Sequence, residues 1–200
     1  MSPPWESIAT LVLTSLAIMG SPGPATVSLT AIGSAFGVRR CLGYLVGIIL
    51  GTITVLLAVA TGITAALLAV PALRSVLLLA SAAYILWLAW HIARAPALAD
   101  RRQSATAPSI AGGALLGVAN PKAWVAIAAV FASARLSDEA WTDAVLKVVL
   151  LVGMIILINT AWLSIGASLA PVLRDPGRAR AVNVTLAIVL VAATALAIVH

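Results

Sequence analysis

Two long apolar runs in this chain are cut by prolines: Ser21-Pro22-Gly23-Pro24 divides the first, and Asn120-Pro121-Lys122-Ala123 divides another almost half the protein later. A proline has no N–H to give and its ring clashes with the carbonyl of the preceding turn, so a helix cannot pass unaltered through either sequence. In lipid every backbone polar group must be satisfied within the protein, and broken helices persist there only where they are buried or line a cavity. Whatever the chain folds into has to shelter two such breaks.

That lipid is the solvent follows from composition. Hydrophobic residues make up 62% and charged residues 9% of the 200 positions, with a mean hydropathy of +1.14. Soluble domains run at roughly 45–50% apolar and about 25% charged. A bilayer core about 30 Å thick needs roughly 20 apolar residues per helix. Six segments reach that length, at about 7–36, 41–69, 72–93, 110–134, 143–170 and 180–199. The predicted fold is therefore an all-α integral membrane protein with six transmembrane helices, of which helices 1 and 4 are broken. The longest polar interval, Arg94 to Ser109, leaves no room for a soluble catalytic domain. The opening Met-Ser-Pro-Pro-Trp-Glu lacks a basic n-region, so the first segment is expected to be a retained helix and not a signal peptide.

The net charge of +6 is distributed by side. Taking alternate loops, one side carries eight basic residues, Arg39, Arg40, Arg94, Arg101, Arg102, Arg174, Arg178 and Arg180, against three on the other, Arg74, Arg135 and Lys147. That second side also holds Glu6, Asp138, Glu139 and Asp143. The bias follows the positive-inside rule and places both termini outside the cytoplasm. The basic loops then meet anionic lipid, and no nucleic-acid partner is expected. The single cysteine, Cys41, permits neither an intrachain disulfide nor a cysteine metal cluster.

The polar interval divides the chain into a first three-helix repeat at 1–95, a cytoplasmic linker at 96–109 and a second three-helix repeat at 110–200. Three is odd, so equivalent helices cross the membrane in opposite senses. Superposing Pro22 on Pro121 brings the two breaks into register, and a 3+3 inverted repeat is expected. Within helix 2, Gly43, Gly47 and Gly51 form a stripe that lets a neighbouring helix, or a second protomer in a homodimer, approach closely. Gly153 and Gly166 flank Asn159 and Trp162 as a looser version of that device, and Asp175-Pro176-Gly177 is read as a turn. Trp5, Trp90 and Trp141 belong to an aromatic belt, whereas Tyr84 and Trp87 lie deeper.

Chemistry concentrates at the breaks. Ser21 is expected to cap a new helix with Pro22 in its first position and Gly23 leaving the backbone sterically open; Asn120 and Pro121 repeat the arrangement, and Lys122 adds a full positive charge. Exposed N–H groups and the positive end of a helix dipole suit a carboxylate. A central charge costs about 2.5–3.5 kcal/mol on insertion scales and faces an interior or a cavity. Asn159 and Asn183 are the other intramembrane amides, each read first as an interhelical hydrogen bond. Carboxylates and imidazoles do not cluster, so no metal site is expected, no cofactor is required, and the group that would relay protons is not identified. No nucleotide-binding loop, GxSxG or HExxH pattern occurs, which argues against an enzyme or an ATP-driven pump.

The run Gly20-Ser21-Pro22-Gly23-Pro24, then Gly37-Val38-Arg39-Arg40 and Gly43 to Gly51, followed by Pro71, Ala83-Tyr84 and Asn120-Pro121-Lys122-Ala123, resembles the LysE/RhtB amino-acid exporters in order and spacing. The resemblance implies export of amino acids or close derivatives across a bacterial inner membrane by proton antiport. It implies a pathway core of Pro22, Gly23, Pro24, Asn120, Pro121 and Lys122. Two positions depart from the family: Ala25 stands where many members have asparagine, and Val130-Phe131-Ala132-Ser133-Ala134 replaces an aromatic stretch with a Pro-Gln pair. With Ser21, Tyr84 and Asn159 added from the residues themselves, the expected substrate is a small amino-acid-like molecule. The alternatives are a non-transporting membrane scaffold assembled through the glycine face, and an ion or metal exporter of a related branch.

Overall fold

The structure is a computed structural model that describes residues 4–62, 108–169 and 175–199, together with isolated positions between 79 and 94. Most of the third expected segment, Tyr84, Pro71 and most of the 96–109 linker lie outside the described residues, as does the side chain of Asn183. All regular structure among the described residues is helical.

Helix α1, Pro4–Thr14, continues into a wider π turn at Ser15–Met19, closed by the Gly20 N–H on Ser15 O. After four residues the chain restarts as α2, Pro24–Phe36. The two parts bend by 67° and together are long and apolar enough for one broken span. α2 is buried on every side from Pro24 to Ala35, which makes it the central rod of the bundle. Its hydroxyls are spent locally: Ser28, Thr30 and Ser34 donate to the carbonyls of Ala25, Thr26 and Ala31. Such back-bonding lets hydroxyl residues sit in an interior helix without orphaned protons.

Gly37 alone connects α2 to α3, Val38–Ala60. Its φ of 75° and ψ of 164° lie in a region open essentially only to glycine, so the corner depends on the missing Cβ. At ~1.5 Å per residue, the 23 residues of α3 reach ~35 Å, enough for a bilayer. The helix stops at Ala60, short of the expected residue 69, because Gly62 takes φ 73° and ends the ladder.

α4, Ile110–Ala119, and α5, Pro121–Ala132, form the second broken pair, bent by 59°. α6, Ala140–Ser168, is the other unbroken helix long and apolar enough to cross a bilayer among the described residues, and α7 runs Pro176–Val199. α7 begins before the expected residue 180 because the Asp175 carboxylate accepts from Arg178 N at 2.8 Å and Pro176 opens the first turn. Asp175-Pro176-Gly177 is thus a helix start and not a free turn.

The glycine stripe of α3 is taken up within the chain. An added Cβ at Gly43 would meet Ile110, at Gly47 the backbone of Ile110 and Ala114, and at Gly51 the backbone of Ala114, Gly117 and Val118. α4 returns the contact through Gly113 and Gly117 against Tyr44, Ile48 and Gly51. α2 and α6 use the same device where Gly33 meets Leu163 and Gly166 meets Thr30, whereas Gly153 faces open space. Two apolar clusters result. One centres on Leu29, Ile32, Tyr44, Ile48, Leu116 and Leu163; the other gathers Leu11, Val55, Ile127, Val130, Leu151 and Ile155.

Candidate functional site

The two breaks are held against one another by Lys122. Its ammonium donates to Ser21 O, to Ser21 Oγ at 2.7 Å and to Pro22 O at 3.2 Å, across a sequence separation of about a hundred residues. Three protons meet three acceptors, so the ammonium is fully hydrogen-bonded by the freed end of the first broken helix while keeping its charge. Ser21 Oγ in turn donates to Ile18 O at 2.8 Å.

Ser21 therefore does not cap α2. The N-cap is Gly23 and the first helical residue is Pro24, one proline later than expected. Thr26 serves the cap instead, its Oγ1 accepting from Gly23 N at 2.8 Å and donating to Gly23 O at 3.1 Å. Gly23 has φ −165°, extended backbone that any residue adopts, so its reason for being glycine is room. A Cβ there would stand 2.6 Å from Lys122 Cδ and 3.1 Å from Nζ. At the second break Asn120 is the N-cap, its Oδ1 accepting from Lys122 N at 3.1 Å, and Pro121 opens α5.

Breaking a helix frees carbonyls as well as N–H groups. An indole answers each break: Trp162 Nε1 on α6 donates to Gly20 O at 3.1 Å, and Trp124 Nε1 donates to Val118 O at 2.7 Å. Trp124 thus belongs to the break, and Trp162 acts in the same way. The signal for both was an intramembrane tryptophan, whose N–H needs a partner when buried. Trp5 and Trp141 are strongly exposed, and Arg94 lies 3.6 Å over the Trp90 ring.

Between the breaks, α3 and α6 lies a cavity of about 50 Å³. Its polar walls are Gly23, Thr26, Thr52, Asn120, Lys122 and Asn159, and Met19 with alanines and isoleucines forms the rest. By the measure of ~10–15 Å³ per water, it admits a few water molecules in this conformation. Asn159 is buried and anchored to its own helix, Nδ2 donating to Ile155 O at 2.8 Å. The structure thus brings together Gly23, Asn120, Lys122 and Asn159 at the cavity, with Ser21 one bond behind Lys122. Pro22 and Pro24 shape the first break without lining the cavity, and Gly43, Gly47 and Gly51 serve the α3–α4 contact. Thr26 and Thr52 were not singled out from sequence, because hydroxyls within apolar runs carry no spacing signal.

On α6 one row of buried positions recurs every fourth residue: Lys147, Leu151, Ile155, Asn159 and Leu163. Lys147 is not a loop cation but a buried helical one, paired with Asp143 at 2.8 Å and lying 5.0 Å from the Phe131 ring centroid. The other oxygen of Asp143 accepts from Leu136 N at 2.6 Å and Ser137 N at 3.3 Å, tying the α5–α6 turn to α6. Leu151 and Ile155 separate this pair from Asn159, and with Leu11, Val55, Ile127 and Val130 they form an apolar plug on that side of the cavity.

A family model described as LysE type translocator matches residues 16–199. Among curated proteins, a cysteine/O-acetylserine efflux protein of Salmonella paratyphi A is 39% identical over 82 residues, covering 40% of this chain and 42% of that one. A protein of the same description from Salmonella typhimurium is 41% identical over 78 residues, covering 38% of this chain and 40% of that one. The chain thus spans about two-fifths of the length of these relatives. No solved structure matches it.

Proposed function

This chain belongs to the LysE type translocators, and from that premise we propose that it is a secondary transporter exporting amino acids or close derivatives across the bacterial inner membrane. The observation that carries the reading is the cavity where the two breaks meet, with Lys122 bridging them and Asn120 and Asn159 in its walls. Intramembrane polar groups gathered at broken helices are the usual form of a transporter's binding site.

In this reading the chain is a 3+3 inverted repeat, residues 1–95 against 110–200, joined by a cytoplasmic linker at 96–109, with both termini outside the cytoplasm. Rocking of one repeat against the other opens the cavity to each side in turn. The pathway residues are Ser21, Pro22, Gly23, Pro24, Asn120, Pro121, Lys122 and Asn159, with Tyr84 from the third expected segment. The α-carboxylate sits at the N-terminal turn of α5, where the helix dipole is positive. Lys122 assists through its charge and by holding the breaks together, since Ser21 and Pro22 already occupy its three protons.

The relatives' descriptions put cysteine and O-acetylserine first in the panel to be tried. A scaffold is less well supported, because Gly43, Gly47 and Gly51 are occupied by α4 of the same chain, and that stripe offers no homodimer surface. An ion or metal exporter lacks support for its cargo: no carboxylate or imidazole lines the cavity among the described residues.

The test is counterflow of labelled amino acids by the purified full chain in proteoliposomes, with and without an imposed pH gradient. Proton antiport predicts net accumulation, in vesicles without internal amino acid, only when the pH difference is imposed. Net uptake indifferent to that difference contradicts antiport and leaves export standing; no counterflow of any panel member contradicts export itself.

A further inference from the structure

Two buried amides in the cavity are each half satisfied, in opposite senses. Asn120 is 5% exposed and its Oδ1 is fixed by the Lys122 backbone N–H, which leaves Nδ2 with two protons and no partner among the described residues. Asn159 is 6% exposed and its Nδ2 is fixed on Ile155 O, which leaves Oδ1 with lone pairs and no partner among the described residues. Amide oxygen and nitrogen are assigned from their hydrogen bonds, and here the backbone decides both: a flip would set oxygen against carbonyl at Asn159 and N–H against N–H at Asn120. Buried polar groups are nearly always paired, and an orphan requires an explanation. A donor on one wall and an acceptor on another, both lining one cavity, match a molecule that carries both an acceptor and a donor.

Resting on the export reading above, we propose that Asn120 and Asn159 read the two ends of a zwitterion, Nδ2 of Asn120 donating to the α-carboxylate and Oδ1 of Asn159 accepting from the α-ammonium, and that the substrates are small amino acids with uncharged side chains. The walls settle the class. Beyond these amides, two threonines and Lys122, the described lining is glycine, alanine, isoleucine and methionine. A lysine or arginine side chain would be buried there with no carboxylate in the described lining to meet it. A glutamate side chain would bring a second anion where the only cation of the described lining is already held by Ser21 and Pro22. Alanines at 25, 123 and 126 leave room, but about 50 Å³ has to widen even for a small ligand.

The competing occupant is water, and ligand-induced thermal stabilisation of the detergent-solubilised full chain separates the two. Its midpoint rises with ligand as binding to the folded state demands. L-Serine and O-acetyl-L-serine are expected to stabilise the wild type, with L-lysine and L-glutamate binding at least tenfold more weakly. N-Acetyl-L-serine, which lacks the ammonium, and ethanolamine, which lacks the carboxylate, are each expected to bind at least tenfold more weakly than L-serine. Asn159→Leu is expected to erase the preference for L-serine over N-acetyl-L-serine. Asn120→Asp keeps a capping oxygen for α5 but loses the donor, and is expected to erase the preference over ethanolamine.

Preferences that survive these substitutions overturn the assignment of the two amides. L-Lysine or L-glutamate binding as tightly as L-serine overturns the substrate class. No stabilisation by any probe leaves the amides to water and overturns both. Binding as described without counterflow counts against export alone, so the two failures are distinguishable.

Discussion

Lys122 decides whether the two breaks are one site or two. Its ammonium is the sole side-chain donor to Ser21 O and Pro22 O among the described residues, and its stem fills the space that Gly23 leaves open. Hydrogen bonds from a charged donor are worth about 1.5–3 kcal/mol, and carbonyls left buried without a partner add a further penalty. Lys122→Met is therefore expected to lower the stability of the full chain by about 2 kcal/mol and to cut the counterflow rate at least tenfold. Gly23→Ala, which drives a methyl into the lysine stem, is expected to act in the same direction. Thermal unfolding and proteoliposome counterflow measure the two effects, and wild-type values for Lys122→Met would remove the residue from the site.

At the scale of the helix, α6 carries a paired charge that no loop count reveals. Removing one partner of a fully buried ion pair costs about 3–5 kcal/mol, because the survivor stays uncompensated; here Lys147 is buried and Asp143 half-buried, so the loss falls below that range. Asp143→Asn, which strands Lys147, is expected to destabilise by about 1–3 kcal/mol. The double variant Asp143→Asn, Lys147→Met is expected to recover much of the loss, and a double-mutant cycle on the unfolding midpoint checks it. Additive losses would show that the pair does not act as a unit.

The same scale shows what was legible. Both breaks were visible because Pro-Gly-Pro and Asn-Pro leave the backbone no helical alternative, and Asn120 capped α5 as expected. The cap of α2 was misplaced because Ser-Pro-Gly-Pro offers two prolines for one first turn; Lys122, a hundred residues away, claims Ser21 and leaves the second proline to start the helix. The end of α3 was missed because apolar residues continue past Thr61-Gly62, and a glycine stop outweighs hydropathy. Lys147 was misread because counting positive charges treats a residue near a span's end as loop, although an acid four residues earlier is the i,i+4 signal for a pair.

Across the whole molecule the cavity is narrow and closed on one side by the apolar plug that ends at the Asp143–Lys147 pair. Export by alternating access requires the substrate to reach the walls of this cavity, among them Ala126, which is 4% exposed, while Val125 beside it on α5 is 63% exposed on the outer face. The direct measurement is the alkylation rate of Ala126→Cys in a Cys41→Ala background, in transport-competent proteoliposomes, with and without saturating L-serine. The account predicts that L-serine slows alkylation at position 126 at least tenfold and leaves Val125→Cys unchanged. Protein that transports L-serine while alkylation at 126 proceeds at the same rate would contradict it.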